Sequence, residues 1–211
     1  MKGNLLLFIS LLAGILVGMT GATPHWLLNP HLPMLLLELL IVQVGMGIGS
    51  MEHLDRLFAR FRWEMLLLPV FTIVGTLLFS ATAVLLFSGH SLSDFLAVGS
   101  GFGYYSLSSV LISQVKGGVA GSAAANQLAT IALMANIVRE MVSLLGCRFV
   151  ANRGSGWAAI SVAGISSMDV CLPSILSSTG NKRYMPIAIF HGLCLEISVP
   201  MLVTFFCSVN L

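Results

Sequence analysis

Apolar runs about the length of a membrane crossing follow one another along the chain, separated by short clusters of Pro, Gly, Arg and Ser. A helix crossing the hydrocarbon core needs roughly 20 mainly apolar residues. Seven stretches meet that length: Asn4–Gly21, Leu32–Met51, Glu64–Phe87, Ser91–Val115, Ser122–Leu145, Gly156–Ser178 and Met185–Val209. The pattern predicts an all-α, polytopic membrane protein of about seven spans in a single transmembrane domain, residues 1–211. Residues 1–90 form three continuous spans and residues 91–211 a core.

Two of the seven stretches are poor as continuous helices. "GSGFGYYSLSS", Gly99 to Ser109, places three glycines at alternate positions before two tyrosines and several serines. In "GISSMDVCLPSILSSTG", Gly164 to Gly180, glycine, serines, Asp169 and Pro173 interrupt another apolar run. Glycine weakens a helix, and backbone freed within a membrane must find partners other than lipid. Both stretches are expected to be broken mid-membrane, near 99–109 and 164–178, as in transporters whose discontinuous helices present half-helix ends to solutes. Two kinked helices packed by small residues are the plainer alternative.

Composition narrows the class further. Hydrophobic residues make up 57% of the 211 residues and charged residues 9%, whereas soluble domains carry about 25% charged residues. With a mean hydropathy of +0.97, the chain cannot clothe a water-facing surface. A net charge of +2 gives no footing for nucleic acid. The four cysteines lack metal-site or disulfide spacing and read as small packing residues. No cofactor or metal is expected.

The basic residues carry topology instead. The loop "EHLDRLFARFRWE" holds Arg56, Arg60 and Arg62, while "TPHWLLNPHLP" holds no Lys or Arg. With the N-terminus cytoplasmic and seven crossings, Lys2, these arginines, Lys116, Lys182 and Arg183 fall inside, and only Arg148 and Arg153 fall outside. The C-terminus is then external. Met1–Ala22 has some features of a secretory signal but reads better as an uncleaved first span. Trp26, Trp63, Trp157 and Tyr184 stand at span ends, where amphipathic rings settle. Gly14–Gly18 and Gly45–Gly49 read as packing faces.

Ionisable residues inside spans cost on the order of 3 kcal/mol each on insertion scales and mark function by default. They are Glu38, Arg139, Glu140, Asp169 and Glu196. Asn136 lies one turn before Glu140 and is placed to hydrogen-bond it. For Arg139 a pair with Asp169 or snorkelling toward the span end stands level with a functional role. For Glu140 and Asp169, beside the broken stretches, a solute or proton role outweighs a structural one. Glu38, Gln43, His191 and Glu196 read as satisfied interhelical hydrogen bonds.

The run "GSGFGYYSLSSVLI", then "GSAA", "NIVRE", "GISSMDVCLP" and "IFHG", resembles the lysine exporter LysO family from Gly99 onward, the first three spans fitting more loosely. The resemblance implies export of L-lysine, with essential membrane-embedded acids at the Glu of Arg-Glu and the Asp of Ser-Met-Asp, here Glu140 and Asp169. Two departures stand out: family members commonly carry further N-terminal spans, and often an Asp where this chain has Asn136. The first suggests association, as a homodimer or with a small separately encoded membrane subunit.

The combined expectation is a bacterial inner-membrane exporter of lysine and close cationic analogues in exchange for protons. Lysine carries two ammoniums and one carboxylate. Glu140 and Asp169 would hold the ammoniums, and Arg139 or half-helix N-termini the carboxylate. Asn136, Gly101, Gly103, Tyr104, Tyr105, Ser106, Ser108, Ser109 and Ser167 would line the crossing. Alternatives are an ion-coupled carrier of a small organic anion, with sodium as a possible driving ion, and a non-transporting subunit. An enzyme is not expected, because Asp169 lacks a GxGD context and the serines lack an identifiable base.

Overall fold

The computed structural model describes residues 9, 13–14, 16–20, 32, 35, 39, 42, 46, 64–87, 89–153 and 155–209. The expected span Asn4–Gly21 and the span Leu32–Met51 fall largely outside them. So do Lys2, Trp26, Glu38, Gln43, the glycines of Gly45–Gly49, Arg56, Arg60, Arg62 and Trp63. The chain divides into two units, residues 1–39 and 40–211. In the first unit the described residues are helical up to Thr20, whose hydroxyl donates to the Val17 carbonyl at 3.0 Å.

In the second unit the described residues form helices and turns without strands. Helix α1 is Glu64–Thr82, extended by a 3-10 turn Ala83–Leu85; α2 is Leu92–Gly99 and α3 is Tyr105–Ala120. Helix α4 runs Ser122–Arg153 and α5 Gly156–Ala163, followed by a 3-10 turn Gly164–Ser167; α6 is Leu172–Thr179 and α7 Tyr184–Ser208. Among the described residues, three helical stretches, Met65–Leu85, Ser122–Arg153 and Tyr184–Ser208, are long and apolar enough to cross a membrane.

The outer surface is apolar, unlike that of a soluble domain. Large apolar side chains face outward on α1 and α4, with Phe71, Leu78, Phe79 and Leu145 all at least 66% exposed. Small and polar residues occupy the interior, among them Ala125, Ala129, Ala132, Ser143, Ser167 and His191. In lipid the outward face has no penalty, and small residues let helices approach closely. Cys147 and Cys171 join Ala159, Ile160, Ala163, Ile175 and Ala188 in a buried cluster, as packing residues.

Neither interrupted stretch runs straight. Asp94 in α2 and Lys116 in α3 form an ion pair at 2.7 Å. Twenty-two residues of continuous helix would separate them by about 33 Å at roughly 1.5 Å per residue, so the chain reverses at Ser100–Tyr104. In the second stretch, Trp157 at the start of α5 packs edge-on against Tyr184 at the start of α7, ring centroids 6.1 Å apart. A Cβ at Gly156 would collide with the Tyr184 ring. The segment that leaves at Gly156 is therefore back beside it by Tyr184. The stretches Ser91–Val115 and Gly156–Ser178, expected as spans broken mid-membrane, form two helical hairpins, α2–α3 and α5–α6.

Local sequence explains both hairpins. Ser91 and Asp94 form a reciprocal capping box that starts α2. Phe102 at φ 45° and Gly103 at φ 96° make the first reversal. Gly164 at φ 63° ends α5, and Pro173 sits in the first turn of α6, where its missing N–H costs nothing.

Candidate functional site

The tips of the two hairpins meet. The Ile165 N–H donates to the Phe102 carbonyl at 3.2 Å, and a Cβ at Gly164 would overlap that carbonyl. The junction lies against the middle of α4. There the Asn136 carbonyl oxygen accepts from the Gly103 N–H at 2.8 Å, and its amide donates to the carbonyls of Ala132 at 2.9 Å and Val98 at 3.4 Å. A Cβ at Gly101 would strike the Asn136 side chain. Asn136 thus satisfies the backbone that the first reversal frees, and it does not bond Glu140 as the one-turn spacing suggests.

Arg139, one residue before Glu140, approaches the junction from the same helix. Its guanidinium lies 5.8 Å from the centre of the Phe102 ring and close to Gly164. Among the described residues no carboxylate pairs with it, so the expected Arg139–Asp169 pair is not formed.

The acids gather around Asp169. Glu140 is within electrostatic reach of Asp169 and next to the Ser166 side chain. Asp169 sits on the turn after the second reversal, its carboxylate accepting from the Val170 N–H. Glu196 of α7, only 8% exposed, also faces Asp169. Tyr104 lies near Glu196 and Asp169, and Tyr105 near Glu140 and Asp169. The structure therefore brings together Glu140, Asp169, Tyr104 and Tyr105 of the expected residues, whereas Arg139 lines a cavity with Thr72, Thr76 and Ser161. It adds Glu196, which the sequence reading left as an ordinary interhelical hydrogen bond. The signal for Glu196 was present, as an acid in mid-span, but its direction on α7 was not legible.

The serines divide. Ser106 and Ser109 are half-buried, with the Ser109 hydroxyl donating to the Ser106 carbonyl at 3.0 Å. Ser108 is fully buried, its hydroxyl oxygen 3.5 Å from the Asn136 amide. Ser167 is fully buried, donating to the Ala188 carbonyl at 3.0 Å and lying 3.2 Å from His191 Nδ1. His191 in turn is 3.0 Å from the Thr72 hydroxyl, which is 2.7 Å from Ser161. Ser167 and His191 are thus engaged in packing α1, α5 and α7 around the tips, and Ser108 joins α3 to α4 at Asn136. Among the described residues there is no cluster of His, Cys, Asp and Glu able to hold a metal ion.

Helices of crossing length, an apolar outer surface and acids gathered at interrupted helices together define a helical integral membrane protein. The family model for the lysine exporter LysO matches residues 8–207, and the chain belongs to that family. It is 38% identical over 111 residues to the lysine exporter LysO of Escherichia coli (strain K12), covering 53% of this chain and 34% of that protein. It is 37% identical over 114 residues to the "Putative lysine exporter" of Haemophilus influenzae, covering 54% of this chain and 53% of that protein. The matched regions thus span about one third and about half of the curated relatives' lengths. No solved structure matches.

Proposed function

We propose that this chain exports L-lysine across the bacterial inner membrane in exchange for protons, with Glu140, Asp169 and Glu196 as the acids of the site and Arg139 as its cation. The observation that carries this reading is the gathering of Glu140 and Glu196 around Asp169 beside the interrupted helices, with Arg139, which no carboxylate pairs among the described residues, at the neighbouring position of α4. The relatives named as lysine exporters support the choice of cation.

Lysine's two ammoniums suit carboxylates, and its carboxylate suits a guanidinium that has none. The charge arithmetic also favours a proton. Three carboxylates against Arg139 and a singly positive lysine leave one net negative charge, which is costly away from water. One proton on an acid neutralises the loaded site. Losing lysine leaves the acids to take up further protons, so the empty carrier returns with protons inward. The N-termini of α3 and α6, at the two reversals, add partial positive charge that favours the carboxylate end of the solute. This acid-rich lining opposes the alternative of an organic-anion carrier.

Uptake of labelled lysine into proteoliposomes tests the reading. A pH gradient, alkaline on the lysine side, should drive accumulation, and collapsing it should abolish accumulation. Lysine movement that follows a sodium gradient and ignores pH would replace the coupling ion. Transport of a dicarboxylate in place of lysine would overturn the proposal.

A further inference from the structure

Two polar compartments lie on either side of the turn that follows α5. One is the acid site, where Asp169 is exposed. The other is a cavity of about 520 Å³ between α1, α4 and α5, where Arg139 stands with Thr72, Thr76 and Ser161. Water takes roughly 30 Å³ per molecule and needs polar partners, which a guanidinium and three hydroxyls supply. Charged side chains at membrane depth face such wet space.

Between the two compartments runs an unbroken row of protic side chains. Ser161 Oγ lies 2.7 Å from Thr72 Oγ1, Thr72 Oγ1 lies 3.0 Å from His191 Nε2, and His191 Nδ1 lies 3.2 Å from Ser167 Oγ. Each separation is of hydrogen-bond length. The row starts in the cavity, at Ser161 and Thr72. It ends at Ser167, in the turn whose Ser166 side chain bonds Glu140 and which leads two residues on to Asp169. Its interior is dry: Ser167 and His191 are 0% exposed and Thr72 is 4% exposed. A solute the size of lysine cannot follow such a row, whereas a proton can.

We propose that Ser161, Thr72, His191 and Ser167 form a proton relay between the Arg139 cavity and the acid site, so that the proton travels by a route separate from that of lysine. The relay rests on the proton-exchange reading above and supplies its proton path.

Imidazole suits the central place because its two nitrogens exchange roles, one donating while the other accepts. In a concerted step a proton from the cavity bonds to Ser161 Oγ as the Ser161 proton passes to Thr72 Oγ1. The Thr72 proton passes to His191 Nε2, the Nδ1 proton to Ser167 Oγ, and the Ser167 proton to the solvent and carboxylates of the acid site. Each oxygen gains one proton and loses one, His191 is neutral before and after with its tautomer changed, and one positive charge has moved. The same step in reverse discharges the acids, and rotation of the hydroxyls and of the ring resets the row. Two of the hydroxyls are parked on carbonyls, Thr72 on Leu68 at 2.9 Å and Ser167 on Ala188 at 3.0 Å, so the row conducts only when these turn away. Arg139 faces the His191 ring from α4 and the Gly164 backbone meets it from the turn; Glu196 follows five residues on along α7.

Proteoliposomes separate a relay from a structural clasp. Exchange of labelled for unlabelled lysine at equal pH moves no net proton, whereas lysine movement driven by a pH gradient does, and an entrapped pH dye reads it. Thr72→Val keeps the shape and loses the hydroxyl; His191→Gln keeps a hydrogen-bonding group that cannot change tautomer. Each should lower gradient-driven movement by about tenfold or more and leave exchange at the wild-type rate, which also shows that the variant is folded. Thr72→Ser should restore the driven rate. Equal loss of exchange and of driven movement in both variants would assign the row to packing, and undiminished driven movement in either would also overturn the relay. Wild-type protein that exchanges lysine but ignores the pH gradient would defeat the proton-exchange reading itself, and the relay with it.

Discussion

Asn136 reaches from the middle of α4 into the first hairpin turn and accepts the Gly103 N–H at 2.8 Å, while Gly101 leaves the space its side chain fills. One amide therefore replaces the helical hydrogen bonds that the reversal removes. Asn136→Ala should lower thermal stability, at a cost of about 1–3 kcal/mol for the buried groups left unpaired, and should reduce transport. Gly101→Ala should do the same by steric conflict. Combining the two should cost less than the sum of the single changes, because the truncated side chain no longer meets the added methyl. Strict additivity in melting measurements would contradict the contact.

Glu140→Gln and Asp169→Asn should abolish lysine export with normal abundance in the membrane, since each keeps its shape and loses its charge. Glu196→Gln should also impair export and shift its pH dependence, as expected of a third acid facing Asp169. Wild-type rates and pH profile in the Glu196 variant would remove it from the site.

In the proposed mechanism Arg139 holds the carboxylate of the solute. Lysine and its decarboxylated diamine differ by that group alone, so competition between them reads the contact. Arg139→Gln should lower lysine transport and reduce the preference for lysine over the diamine by roughly tenfold or more, the loss of one charge-assisted pair. An unchanged preference with uniformly reduced rates would assign Arg139 to structure.

The Asp94–Lys116 pair closes the base of the first hairpin, with both side chains at most 16% exposed. Removing one partner strands a buried charge, a loss of about 3–5 kcal/mol. Lys116→Met alone should sharply reduce folded protein in detergent. Lys116→Met with Asp94→Asn should recover most of it, and thermal unfolding of the purified variants measures the difference. Equal destabilisation by the single and double changes would show the pair to be unimportant.

The helical membrane class was legible in the sequence because lipid imposes a local rule: every crossing must be long, apolar and internally hydrogen-bonded. The same rule marked the two interrupted stretches at Gly99–Ser109 and Gly164–Gly180, where glycine and serine break that pattern. It also marked Arg139, Glu140 and Asp169, because ionisable groups in such runs are conspicuous.

Direction was not legible. Whether a broken helix continues onward or doubles back depends on what meets it, here Lys116 on Asp94 and Tyr184 on Gly156, each a contact between residues more than twenty positions apart. Partner choice was hidden for the same reason. One turn of helix puts Asn136 near Glu140, but the freed backbone of Gly103 offered it a buried N–H, and in an interior without water that claim prevailed. Glu196 joined the acids only because α7 presents it toward Asp169, a rotation fixed by Gly192 packing closely on Met168 and Ile165. Local chemistry determined which segments enter the membrane and which residues are unusual there; long-range packing decided how the segments turn and which of those residues meet.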